Sequence, residues 1–142
     1  MKLSRRDCSL LLLPALLAKA QTGTATLPSK VFRYEDLPVR TNGANFGRKV
    51  LDGALRDGFT IEVHQTQLAP GSAPHPPHRH VHEEMFLLRE GTLEVFLDGN
   101  RSQLEPGGVT FVASNVEHGV RNIGTTPAQY FVVELRGKKA AT

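Results

Sequence analysis

A chain of 142 residues has room for one hydrophobic core and not two. It carries 17 Lys and Arg against 14 Asp and Glu, a formal +3. Residues 1–20, with Lys2, Arg5, Arg6 and Lys19 against Asp7, account for that excess. The remainder is near neutral, which gives no basis for a nucleic-acid or membrane-surface partner. The single cysteine, Cys8, falls in the same stretch, so the rest of the chain can form no disulfide and offer no thiolate ligand.

The first element is an export signal at 1–20. A basic start is followed by an apolar run from Leu10 to Ala18 and a small-x-small cleavage site at Ala18-Lys19-Ala20. The run is about half the ~20 residues of a membrane span, and Pro14 interrupts it, so no stable membrane insertion is expected after cleavage. Ser4-Arg5-Arg6 resembles a twin-arginine signal, although Cys8 and Ser9 stand where larger apolar residues are usual, and an ordinary secretory route stays open. The expected location is periplasmic or extracellular.

Residues 21–56 read as a leader and extended arm, punctuated by Pro38, Asn42-Gly43 and Gly47, with short strands at most. From residue 57 to 136 the text becomes a succession of short strands: 59–68, 84–89, 92–97, 102–104, 109–112, 118–123 and 130–135. Turn signals such as Glu90-Gly91, Asp98-Gly99 and Pro106-Gly107-Gly108 separate them. No amphipathic helix interrupts the series, and residues 137–142 form a solvated tail. The expected fold is all-β, an antiparallel sandwich or barrel with its core within 59–135. Phe86, Leu88, Val95, Phe111, Val120, Phe131 and Val132 are expected as core or sheet-packing residues.

The chemistry concentrates in one place. His75, His78, His80 and His82 fall within eight residues, beside Glu83 and Glu84. On a strand, residues two apart share a face, so His78 and His80 can aim at one point and Glu84 has the same parity. His118 opens a later strand and can close the site from across the barrel. Three imidazoles and a carboxylate suit one divalent ion, Mn, Fe, Ni, Cu or Zn. The competing reading is a surface loop of solvated histidines. His82 shares the parity of His80 and competes with it as a ligand unless a bulge or bend puts it at the rim, which is the expectation. His75 belongs at the mouth, His64 is a strand residue with a hydrogen bond, and Glu83 points away from Glu84 toward Arg79 or a histidine.

Gly71, His78-Arg-His80, Glu84 and Gly91 reproduce the spacing of the first cupin motif, with one extra residue after Gly71. Gly107, Ala113-Ser114-Asn115, His118 and Asn122 follow the second, with Ala113 replacing its proline and Asn115 its turn glycine. Asparagine is the residue besides glycine that best tolerates positive φ, so the turn survives. The chain therefore resembles a small single-domain cupin. That resemblance implies a double-stranded β-helix barrel, His78, His80, Glu84 and His118 as inward-facing metal ligands, and Asn122 as the brace of a turn. Its leading activity class is a metal-dependent dioxygenase acting on a small oxygenated substrate, with an isomerase also allowed; the alternative is a module that binds metal or ligand without turnover. A homodimer is a further expectation, with Met85 and Leu87 as contacts on the face opposite Glu84.

Overall fold

The computed structural model describes residues 26–137. The expected signal at 1–20, the start of the leader and all of the tail but Gly137 lie outside the described residues. A short 3-10 turn at Tyr34–Asp36 precedes nine strands: β1 Val39–Asn42, β2 Asn45–Ala54, β3 Thr60–Leu68, β4 Glu83–Glu90, β5 Leu93–Leu97, β6 Asn100–Leu104, β7 Val109–Val112, β8 His118–Asn122 and β9 Ala128–Arg136. They form two antiparallel sheets, one ordered β1-β2-β3-β9-β4-β7 and the other β6-β5-β8. The all-β antiparallel architecture is the one expected from the strand spacing, and its jelly-roll-like form is the one the family resemblance implied. No helix among the described residues is long and apolar enough to cross a membrane.

Alternation decides which side chains enter the interior. In β4, Glu84, Phe86 and Leu88 are buried and the residues between them are not. Tyr130 and Val132 of β9, Val112 of β7, and Leu93 and Val95 of β5 meet Phe86 and Leu88 in one apolar cluster. Each large apolar side chain so buried contributes roughly 1.5–3 kcal/mol. Gly91 turns β4 into β5 at φ +83°, and a Cβ there would lie 2.6 Å from Ala128 Cα, so only glycine fits.

Two expectations about elements need correction. The segment before residue 57 is more than an arm with short strands: β2 is ten residues long and pairs with β3 along its length, with a bulge between Lys49 and Leu51. Phe111 is no core residue. It is 55% exposed, because Thr110 and Val112 take the inward positions of β7 and leave Phe111 outside. Phe131 likewise faces out and is half-buried, whereas Phe86, Leu88, Val95, Val120 and Val132 are buried as expected.

Candidate metal centre

The histidine segment reaches the site without being a strand. Pro74, Pro76 and Pro77 stiffen the approach, and His78 then forms an isolated antiparallel bridge with His118, each backbone N–H donating to the other's carbonyl at 3.0 Å. Pro77 rests so close on β8 that a Cβ at Gly119 would stand 3.3 Å from it. Two more contacts fix the segment to the turn before β8. Asn115 N–H donates to the His80 carbonyl at 2.8 Å, and Arg79 Nη1 donates to the Asn115 carbonyl at 3.1 Å. Asn115 adopts φ 62°, the conformation its side chain tolerates in place of glycine.

This stapling brings His78, His80 and His118 together in a cavity of about 400 Å³, with Glu84 against His80 and His118. One ring nitrogen each from His78, His80 and His118 lies within 4.8 Å of the others. Glu84 Oε2 lies 2.9 Å from His118 Nε2 and 3.4 Å from His80 Nε2. Shared parity along one strand is not what aligns His78 and His80, because β4 begins only at Glu83 and the chain bends at Val81 and His82. The bridge to β8 aligns them instead.

Tautomers are fixed from behind. His118 Nδ1 lies 2.9 Å from the Val116 carbonyl and His80 Nδ1 lies 2.9 Å from the His82 carbonyl. A carbonyl only accepts, so Nδ1 carries the proton in each neutral ring and Nε2 presents its lone pair to the cavity. The result is an unusual pair. His118 is 1% exposed and Glu84 7%, yet His118 Nε2 and Glu84 Oε2, only 2.9 Å apart, have no hydrogen-bond partner. Two buried acceptors left facing each other cost about 1–3 kcal/mol apiece unless a proton on Nε2 or a metal ion lies between them. Bonds of about 2.1 Å hold two ligands about 3.0 Å apart at a right angle and about 3.4 Å apart at a tetrahedral one, so the spacing and donor set fit a single divalent ion.

His78 is the most open of the three. Burial, then the neighbouring His75, His118, His80 and His82, lower its pKa from 6.5 to about 4, so it is a neutral donor at physiological pH. His82 is at the wall and not in the cluster. It stacks on His80 with ring centres 3.6 Å apart, its Nε2 lies 3.4 Å from Glu134 Oε2, and burial followed by the His80 charge lowers its pKa. His75 is exposed at the mouth, its ring edge-on to His78 at 4.3 Å. Asn122 braces a turn as expected: Nδ2 donates to the Leu68 and Thr126 carbonyls and Oδ1 accepts from Gly124 N–H.

Two expected partnerships are absent. Arg79 contacts Asn115, Asp98 and Glu117 rather than Glu83, which faces away from the cavity opposite Leu135. His64 lines the cavity, but its Nδ1 is buried without a hydrogen bond, 3.5 Å from Glu62 Oε1. Arg136 and Glu134 add a charged wall to the cavity that was not expected from the sequence, and Arg136 Nη2 contacts Glu134 there and Glu62 behind it. The signal lay in Glu62, Glu134 and Glu84 sharing the inward parity of their strands, which becomes readable only once the register is known.

Comparison with known proteins agrees with this fold. The solved structures of an RmlC-like cupin from Shewanella frigidimarina and of KdgF from Halomonas sp. superpose with TM-scores of 0.63 and 0.66, at 19% and 15% identity. They cover 78% and 77% of this chain and 95% and 96% of their own. The polyketide cyclase RemF from Streptomyces resistomycificus gives 0.63 at 19% identity, covering 80% of this chain and 88% of its own. No curated protein matches the sequence. Residues 64–134 match the cupin domain family, half of the chain, and the protein belongs to that family.

Proposed function

We propose that this chain holds one divalent metal ion through His78, His80, Glu84 and His118 and uses it to turn over a small oxygenated substrate, as a dioxygenase-like oxidoreductase. The observation that carries the reading is the buried approach of Glu84 Oε2 to His118 Nε2, neither atom having a hydrogen-bond partner. The ion would supply Lewis acidity and, if redox-active, electron transfer. The carbonyls of Val116 and His82 hold two of the imidazoles with their lone pairs inward. Phe86, Val120 and Val132 give the same cavity apolar walls that exclude water from one side. His82, kept neutral by its surroundings and next to Glu134, is a proton acceptor on the wall, which favours catalysis over passive binding. That a structurally similar protein is a cyclase supports the same preference.

Loading the protein separately with manganese, iron, nickel, copper and zinc, and following oxygen consumption over diols, enols and thiols, tests this. Turnover with at least one redox-active ion, abolished by His80→Ala, is the expected result. Bound metal with no turnover leaves a binding module. The proposal includes export: a signal at 1–20 places the working protein outside the cytoplasm, and replacing Arg5 and Arg6 by Lys should trap it inside if the twin-arginine route is used. It also includes a homodimer through the outward face of β4, β7 and β9, where Met85 and Leu87 adjoin exposed Val109, Phe111 and Leu135.

A further inference from the structure

The register places four carboxylates in a row across one face of the large sheet, from exposed Asp52 to buried Glu84. Asp52 of β2 is opposite Glu62 of β3, Glu62 opposite Glu134 of β9, and Glu134 opposite Glu84 of β4. Like charges directly opposed across strands repel, so such a row persists only where cations or a ligand offset it. Arg136 is the sole Lys or Arg side chain lining the cavity among the described residues, and the row consumes it. Its Nη2 contacts Glu62 and Glu134, its Nε donates to Glu134 at 2.9 Å, and its Nη1 lies 3.4 Å from Asp52. Lys49 holds the outer end, 2.9 Å from Asp52. One divalent ion at Glu84 with these two side chains balances the four carboxylates in total. The balance is uneven along the row, positive at the inner end and negative where Glu134 lines the cavity with Glu62 beside it.

We propose that the cavity takes a small ligand with oxygen donors at its inner end and a cationic amine at its outer end, received by Glu134, which lines the cavity, with the charge of Glu62 behind it. Only the inner half of this inference rests on the metal reading above. The orphaned, nine-tenths-buried Glu84 and His118 mark the inner end of the same cavity as a place for a ligand group, and His64, whose buried Nδ1 has no hydrogen bond, lines the cavity as well. An anionic tail would meet carboxylates there, and the one guanidinium that would normally receive it is already engaged on all three of its nitrogens.

Three hydroxamic acids of matched length separate the two halves. β-Alanine hydroxamate, butyrohydroxamate and succinic monohydroxamate share one metal-binding head and carry amine, methyl and carboxylate tails. Titrated calorimetrically into the zinc-loaded protein, the amine should bind about tenfold or more tighter than the neutral compound, and the carboxylate weaker than both. Glu134→Gln and Glu62→Gln should each shrink the amine advantage while leaving butyrohydroxamate affinity unchanged, which shows that head and fold are intact. Succinic monohydroxamate binding as tightly as the amine, or an amine advantage indifferent to both substitutions, overturns the inference. An amine-over-carboxylate preference in a protein that takes up no zinc supports the outer half of the inference while contradicting the metal reading. No binding by any of the three overturns both.

Discussion

Glu84→Gln is expected to move the metal-free and metal-loaded proteins in opposite directions. The side chain keeps its shape and loses its charge. In the metal-free chain Glu84 Oε2 and His118 Nε2 lie 2.9 Å apart with no partner, while His118 Nδ1 donates to the Val116 carbonyl. A glutamine amide can donate to that bare Nε2. It removes a buried unpaired acceptor and adds one hydrogen bond, together about 1–3 kcal/mol of stabilisation, or a Tm rise of about 3–8 °C in a domain of this size. The loaded protein loses its only anionic ligand, so its affinity should fall by at least the ~100-fold that even an outer-sphere change can cost. Thermal unfolding with chelator and with added zinc reads both arms. The metal-free variant should melt above the metal-free parent, and the stabilisation by zinc should shrink or vanish. A metal-free variant that melts lower, with the zinc effect intact, would refute the reasoning.

Other substitutions probe separate parts of the account. Asn122→Ala leaves the carbonyls of Leu68 and Thr126 and the N–H of Gly124 without their bonds, and should cost about 2–4 kcal/mol in urea unfolding; a loss below about 0.5 kcal/mol would contradict its bracing role. In metal-free protein the His78 ring should titrate near 4 by side-chain NMR rather than near 6.5. The folded value lies below the unfolded one, so the unfolded chain binds more protons in that interval. This contribution to stability is complete above about pH 6.5 and is lost as the pH falls toward about 4. Phe111→Glu, on the exposed face next to Met85, should convert a dimer to a monomer in light scattering without altering metal content; a parent that is already monomeric would dispose of the dimer proposal.

How far the molecule was legible in its sequence depends on whether a feature is local. The run from His78 to Gly91 and the turn at Asn115 declare themselves because their meaning is carried by neighbours along the chain. The strands from β3 to β9 show as alternation between turn residues, and each emerged within one or two residues of its expected ends. Strand β2 was hidden because Gly47, Gly53, Arg48 and Lys49 break the alternation and a bulge shifts its register midway. Phe111 misled because its apolar character says nothing about which face of β7 it takes, and Thr110 holds the inner position. The bend before Glu83 that moves His82 to the wall was expected, whereas the His78–His118 bridge that aligns the ligands was not. The carboxylate row could not be read at all: its members are brought together by the pairing of four strands, and no spacing along the chain records that.

The central claim is that four side chains from two separated segments converge on one metal ion. Metal analysis of the purified protein by mass spectrometry, after equilibration with zinc and removal of loosely held ion, tests it most directly. The account predicts one equivalent per chain in the parent and a loss of that equivalent in both His80→Ala and His118→Ala variants that remain folded. Retention of a full equivalent in either folded variant, or none in the parent, would contradict it.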